Sequence, residues 1–444
     1  MAKPYLALLA GLVLALPLQA APIPCTDPLP ATPLTLTVAL DFALCRAPQT
    51  QSAWAQAKAQ AAALDVARAA RRPQLSATVG ASQERSGGRN TGQQRASLQL
   101  AYTLFDFGQR EARIDQADAL FSAAQANTDA TVATVWLNTS KAYFDTAKAG
   151  AQIDAAKIAE TAARTNLAAA ERRLAVGSAT PLDVLQARAQ LSQATLDRTK
   201  GESQLAAARG NLALAMGLSP TRLPTLAALP TGLAASPLPA SQLDGLLTTA
   251  LNSRPEVRQS LSNLKAAEAA VRSAKAAGKP TLSVSTTASS SRTGAPYDTL
   301  NGGNIGVSLN IPFDLDGSTA AGIRSAEALA EAREADLQRT RQSVENDAWQ
   351  AYYSLRSALD TSEAAEDVVA NARKAYEAAL ARYQAGVASL LDVLTAQTAR
   401  ANAEQQLIAA HYDWYAARAA LAYALGGALP ADPTTGPSAW PSQP

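Results

Sequence analysis

The sequence is short of the residues from which most catalytic and metal sites are built. Its 444 residues include one histidine, two cysteines, two methionines and only 5% aromatic residues. The single His411 stands between Ala410 and Tyr412 in a helical pattern. The chain contains no Cys/His metal cluster, no nucleophilic serine motif and no glycine-rich phosphate loop. We therefore expect no enzymatic activity and no cofactor.

Charge of either sign is not in excess, and long apolar runs are scarce. The chain has 39 basic and 37 acidic residues, a net charge of +2, whereas nucleic-acid-binding proteins usually carry a strong basic excess. We therefore expect no nucleic-acid partner. Beyond the N-terminus, no run is long and apolar enough to span a membrane as a helix.

The N-terminus has the pattern of a secretory signal peptide. The positive charge of Lys3 precedes the apolar residues 5–18, and a small-residue cleavage site follows. This apolar run is shorter than the ~20 residues of a spanning helix, so we interpret residues 1–20 as a signal peptide. Export permits a disulfide, and we expect one between Cys25 and Cys45, with two unpaired thiols as the alternative.

The chain contains an internal duplication. One set of residues recurs at an offset of 209 positions: Arg173, Gly177, Asp183 and Leu185 as Arg382, Gly386, Asp392 and Leu394. Pro73 and Pro280 match at an offset of 207, so two residues are inserted between these parts, in a predicted hairpin. We expect a first repeat over 21–217, a proline-rich irregular connector over 218–240, a second repeat over 241–427 and a tail over 428–444.

Each repeat is predicted to contain a helix, two strands and two further helices. Apolar residues alternate with Ser, Thr, Gly and Asn over about 74–105 and 281–312. Period two indicates strands with one apolar and one polar face, as in strands between lipid and water. A half-buried sheet of a soluble domain is the alternative. Four strands cannot close a barrel, since the smallest barrels have about eight, so membrane-crossing strands would require several chains in one barrel.

Two long helices are predicted after the strands. The segments from 109 to about 176 and from 318 to about 385 contain no proline. At ~1.5 Å per residue, each helix would reach on the order of 100 Å, which is too long for a compact globular domain. Such helices suit a pillar coiled against its neighbours.

Both long helices end in the same turn signal. Gly177 and Gly386 are placed as left-handed helix stops. Thr180 and Ser389 then serve as N-caps, and an aspartate three residues later completes a capping box. We therefore expect tight helix–helix turns at 177–183 and 386–392, each followed by a return helix.

Taken together, these motifs resemble the TolC outer-membrane efflux family. The resemblance rests on the duplication, Arg72-Pro73 and Lys279-Pro280 before the hairpins, the Phe-Asp turns, and the tip motifs Arg-Leu-Ala-Val-Gly…Leu-Asp-Val-Leu and Arg-Tyr-Gln-Ala-Gly…Leu-Asp-Val-Leu. It implies a mainly α fold with membrane β-strands, assembled as a homotrimer. A twelve-stranded β-barrel in outer-membrane lipid would stand above a twelve-helix periplasmic α-barrel. The implied partners are a periplasmic adaptor (membrane fusion) protein and an inner-membrane ABC or proton-driven transporter.

The resemblance also implies a gate at the hairpin tips. A tyrosine at the position of Tyr383 bonds an aspartate at the position of Asp183, and an aspartate matching Asp392 forms part of a negative constriction. Two family positions differ here, because Ala388 replaces a basic residue and Thr395 replaces a second aspartate. The ring would then carry three charges instead of six. Helix capping is the simpler role for both aspartates.

The resemblance implies a channel-tunnel that exports substrates across the periplasm and outer membrane. The start of the mature chain, from Asp41 to Thr50, looks more like family members that work in type I protein secretion. Small-molecule efflux in a tripartite pump is the alternative within this class. A periplasmic coiled-coil structural or adaptor protein is the alternative from another class, although it would not explain the four strands.

Overall fold

The chain folds into two repeats with the same order of elements. A computed structural model describes residues 33–86, 89–228, 240–294 and 298–427. The first repeat comprises α1 (Leu36–Arg46), α2 (Pro48–Ala69), β1 (Gln74–Ser86), β2 (Arg89–Phe105), α3 (Gln109–Ala175) and α4 (Pro181–Ala215). The second comprises α5 (Leu243–Ser253), α6 (Pro255–Ala277), β3 (Thr281–Thr293), β4 (Asp298–Asn310), α7 (Ser318–Gln384) and α8 (Leu390–Ala424). The predicted strands, long helices and return helices are all confirmed. The predicted signal peptide (1–20) and tail (428–444) lie outside the described residues.

The prediction of a single helix before each hairpin is wrong, because the structure has two. The break falls at Ala47–Pro48 and at Arg254–Pro255, where the residue before proline is extended, with ψ of 126° in both cases. A proline disfavours the helical conformation of the residue before it. The same proline then occupies the first turn of the next helix, where its missing N–H costs nothing.

The four strands form one antiparallel sheet in the order β1-β2-β3-β4. Strand β2 pairs with β3, so the sheet joins the two repeats, and β1 and β4 are its edges. The inserted residues lie in the hairpin loop as predicted. The strand pair β1/β3 starts at 74 and 281, an offset of 207, and the pair β2/β4 starts at 89 and 298, an offset of 209.

The helices form a layer of four columns in the same order as the strands. Helices α2 and α4 both pack against α3, α6 and α8 pack between α3 and α7, and α7 forms the far edge. The short helices occupy different heights along the long ones. For example, Arg68 of α2 contacts Asp118 of α3, whereas Arg198 of α4 contacts Glu160 much further along α3. The columns are therefore α2 with α4, then α3, then α6 with α8, then α7.

Two hydrophobic clusters fix the middle of this layer, one in each repeat. Their central residues are related by the 209-residue offset and are almost fully buried, at 2% exposure or less: Tyr143 and Tyr352, Leu212 and Leu421, Met216 and Leu425. The first cluster includes α1 and the second includes α5. The short helices thus brace the long ones where the return helices end.

The connector between the repeats is more ordered at its start than the sequence indicates. A 3₁₀ turn spans Pro220–Arg222, and Leu226 forms a parallel bridge with Leu34. Leu223 is buried in the first cluster, because the chain must cover the ends of α1 and α4 there. Cys45, on α1, is not a free thiol. Cys25 lies outside the described residues, so the Cys25–Cys45 pairing stays a prediction.

Candidate functional site

The first hairpin tip is a compact capped turn. Helix α3 ends before Gly177, which has a φ of +74°, and the Ser178 amide donates back to the carbonyl of Arg173 at 2.8 Å. Thr180 then caps α4 through its hydroxyl, which accepts from the amide of Asp183. The Asp183 carboxylate accepts in return from the amide and hydroxyl of Thr180, at 2.7 and 2.8 Å. This reciprocal arrangement confirms the predicted capping box.

The second tip repeats this geometry. Gly386 has a φ of +77°, and the Val387 amide donates to the carbonyl of Arg382 at 3.0 Å. The Asp392 carboxylate accepts from the amide and hydroxyl of Ser389, at 3.0 and 2.8 Å. These donors, with a smaller contribution from the charge of Arg382, lower the pKa of Asp392. Asp392 is exposed, so it presents an ionised carboxylate at the surface of the tip.

The two tips pack against each other to form one unit, which we call the tip cluster. Its buried residues come from both hairpins: Ala170, Val184, Ala187, Leu390, Val393 and Leu394. A hydrogen bond of 3.0 Å from Gln190 to Thr398 links α4 to α8 just above it. The capped ends of the hairpins are therefore held in a fixed relation within one chain.

Tyr383 lies at this junction, and its contact is with Arg173. The guanidinium carbon of Arg173 stands 4.1 Å from the centre of the Tyr383 ring, and Nη1 donates to the Tyr383 carbonyl at 3.3 Å. The described hydrogen bonds of the Asp183 carboxylate go instead to Thr180. The 209-residue offset pairs Arg173 with Arg382, but the sequence predicted no role for Arg173. The signal for this contact is the aromatic ring at Tyr383, which has no counterpart in the first repeat.

In the half of the sheet nearer the helices, all four strands present one apolar and one polar face. Residues paired in register form continuous rows on the apolar face, such as Leu75, Leu100, Thr286 and Ile305, and Tyr102, Val284 and Val307. The next row on the opposite face is Ser76, Gln99, Thr287 and Asn304. The apolar side chains are uncovered, with Val79 84% and Ile305 78% exposed. A water-soluble protein rarely exposes an apolar surface of this extent.

The sheet passes into the long helices through capped turns bearing exposed apolar residues. The Asp106 carboxylate accepts from the amides of Gly108 and Arg110 at the start of α3, and Asp314 does the same near the start of α7. A β-bulge at the end of β2 sets Phe105 opposite Leu282, in line with the apolar face. The apolar band therefore ends in aromatic residues, which favour a membrane interface.

Other classes of site find no support in the described part of the chain. Across residues 33–86, 89–228, 240–294 and 298–427, there is no group of three potential metal ligands. No helix in these ranges combines the length and apolar character needed to cross a membrane. His411 lies beside Glu366 at 3.5 Å between α7 and α8, which is a packing position.

An open sheet with an uncovered apolar face, joined to two helical hairpins whose long helices have 67 residues each, defines a channel subunit of an outer membrane. The chain matches the family described as outer membrane efflux protein over residues 39–218 and 246–427. It belongs to this family, of which TolC is a member. The protein is therefore located in the outer membrane and extends into the periplasm, as a component of an efflux or secretion channel.

Individual relatives agree with this assignment. The chain is 32% identical to the protein CyaE of Bordetella pertussis, with 87% of this chain and 84% of CyaE aligned. It is 29% identical to the outer membrane efflux protein BepC of Brucella suis, covering 88% and 85% of the two chains. Among solved structures, the outer membrane protein VceC of Vibrio cholerae superposes with a TM-score of 0.77 at 21% identity, over 88% of this chain and 96% of VceC. This structural similarity supports the fold.

Proposed function

We propose that three copies of this chain close into one channel that crosses the outer membrane and continues through the periplasm as a tunnel. The observation that carries the proposal is the matching order of four strands and four helix columns, both open at their two edges. Three copies supply twelve strands, more than the roughly eight of the smallest closed barrels. They also supply twelve helix columns. Closure also removes the unpaired edges of β1 and β4, which lipid does not tolerate.

In this assembly the apolar face of the sheet contacts lipid and the polar face lines the lumen. The register supports this orientation, because Leu100, Val284 and Val307 lie on one face and Ser76, Gln99 and Asn304 lie on the other. Further from the helices each face carries an arginine, Arg95 on one and Arg292 on the other, so the orientation rests on the rows nearer the helices. Apolar side chains favour lipid, and polar side chains favour a water-filled lumen. The pore is thus lined by Ser, Thr, Asn and Gln, which suits the passage of solvated cargo.

The gate of this channel is formed by the hairpin tips, at Asp183, Tyr383 and Asp392. Capping accounts for the local geometry of both aspartates, but it leaves the exposed charge of Asp392 available. Three such carboxylates around one axis would focus a negative potential and attract cations. Thr395, one turn further on and exposed, adds no charge, so the ring carries three.

The tips are also where a periplasmic adaptor protein would dock, linking the tunnel to an inner-membrane transporter of the ABC or proton-driven kind. We propose type I protein secretion as the process. Its support is the start of the mature chain, where α1 and the beginning of α2 have the sequence character of secretion members. In the structure Phe42 and Ala43 of this segment are buried in the first hydrophobic cluster.

Three measurements test the proposal. Mass determination in detergent should give a trimer, and the purified protein should form cation-preferring channels in planar bilayers. A monomer that conducts by itself would refute shared closure.

Gene deletion distinguishes type I protein secretion from small-molecule efflux. Deletion should abolish export of a protein cargo while leaving resistance to small toxic compounds unchanged. Loss of resistance with normal protein export would favour the small-molecule pump.

A further inference from the structure

We propose that Arg173 clamps Tyr383, holding the two hairpins of one chain together at the tip, and that the channel opens only when this clamp is released. The inference rests on the proposed channel function and adds a residue to its gate. Arg173 is in the last turn of α3 and Tyr383 is in the last turn of α7. The clamp therefore joins the far ends of the two long helices.

The clamp has two parts that act on different groups of Tyr383. The guanidinium lies over the aromatic ring at 4.1 Å, a distance at which the ring quadrupole attracts a cation. Nη1 also donates to the backbone carbonyl at 3.3 Å. This carbonyl belongs to the end of a helix, where positive charge is favourable. Neither part uses the tyrosine hydroxyl.

The surroundings strengthen the contact. Arg173 and Tyr383 are both half-buried, and Tyr383 packs against the tip cluster. Partial removal of water increases the attraction between a cation and an aromatic ring. The planar guanidinium can stack on the ring and donate to the carbonyl at once, which a lysine ammonium cannot do equally well.

The duplication supplies a natural comparison. Arg382 is the counterpart of Arg173 at the 209-residue offset, and the counterpart of Tyr383 is Leu174, since 383 − 209 = 174. Leucine has no aromatic face, so the second repeat cannot make the same contact with a first-repeat hairpin. Arg382 is exposed, and its charge acts on Asp392. Arg173 is therefore a positioning residue for Tyr383. Because Arg382 acts on the proposed constriction, the control is the neighbouring Arg172, which is exposed and donates to a carbonyl of its own helix.

The experiment compares five variants as purified trimers in planar bilayers. Arg173→Ala and Tyr383→Leu should each raise basal conductance about two- to thirtyfold, the range expected for a partly desolvated cation–π contact. The double variant should rise no further than either single one, because both remove the same clamp. Arg172→Ala should leave basal conductance near the wild-type value, while Tyr383→Phe, which keeps the ring and the carbonyl, should retain closure.

Other outcomes would overturn the clamp or the channel separately. If Tyr383→Phe opens the channel as far as Tyr383→Leu, the hydroxyl forms the link, as the family resemblance implies, and the clamp is wrong. Equal effects of Arg173→Ala and Arg172→Ala would show a general charge effect, and a fall in melting temperature with unchanged conductance would show a structural role only. If the wild-type trimer forms no channel at all, the proposed function fails and not the clamp alone.

Discussion

A single arginine placed on either face of β2 should distinguish a membrane sheet from a soluble one. Leu98 and Gln99 are neighbours near the middle of this strand, and both are exposed in the isolated chain. Because β2 is an inner strand, Leu98 is flanked by Ala77 and Ala288 and lies away from any junction between chains. Leu98 is on the apolar face, whereas Gln99 shares the polar face with Arg95.

The expected cost differs strongly between the two sites. An arginine facing lipid near the bilayer midplane costs about 2–4 kcal/mol, so Leu98→Arg in three chains should cost about 6–12 kcal/mol per trimer. This approaches the whole stability of a typical folded domain, about 5–15 kcal/mol. Gln99→Arg should cost little, because its side chain remains in water inside the lumen.

The assay is the yield of folded trimer in outer-membrane fractions, together with a denaturant titration in lipid vesicles. Leu98→Arg should reduce the yield at least tenfold and lower the midpoint, while Gln99→Arg should behave like the wild type. Equal yields for the two variants would refute the assignment of lipid and lumen faces. A selective loss for Gln99→Arg would place the polar face against lipid and reverse the proposed orientation.

Four further predictions concern the helix ends. Asp392→Asn should move the cation/anion permeability ratio of the channel towards one while costing little helix-cap stability, since asparagine can still accept from Ser389, and an unchanged ratio would place the constriction elsewhere. Because Ser389 donors hold the pKa of Asp392 below its ordinary value of 3.8, its charge and the stability it confers are present above that value. Both are lost only as pH falls through the depressed pKa, so cation preference should persist in an acid titration to below the range of an ordinary aspartate. Gly386→Ala should cost about 1–2 kcal/mol from left-handed strain alone, because no atom lies within 4 Å of the added Cβ. Gly426→Ala should lower the melting temperature further, because its Cβ would stand 2.7 Å from the Ser253 hydroxyl oxygen.

Features set by neighbouring residues were predictable from the sequence. The left-handed glycines, the capping boxes and the alternation of the strands each depend on residues within a few positions of one another. The duplication extended this reach, because a pattern seen twice at one offset is less ambiguous than either copy. The structure therefore agrees at the tips, the hairpins and the long helices.

Features set by contacts between distant segments were not predictable in the same way. The missed break before α2 is an exception, because its cause, Pro48, is local. The ordered start of the connector depends on burial of Leu223 between distant helices, and polar composition does not reveal that. The contact between Arg173 and Tyr383 joins residues 210 positions apart, so only the folded tips bring them together.

The two repeats share one set of lengths. Helices α3 and α7 each have 67 residues, and helices α4 and α8 each have 35. A deletion of one turn in α3 alone would leave its capped end out of step with α7 and pull Thr180 away from the level of Ser389. Shortening would have to occur in all four helices together to keep the tips level. The four helix lengths therefore fix the distance between the sheet and the tips, and any partner that binds the tips must match that distance.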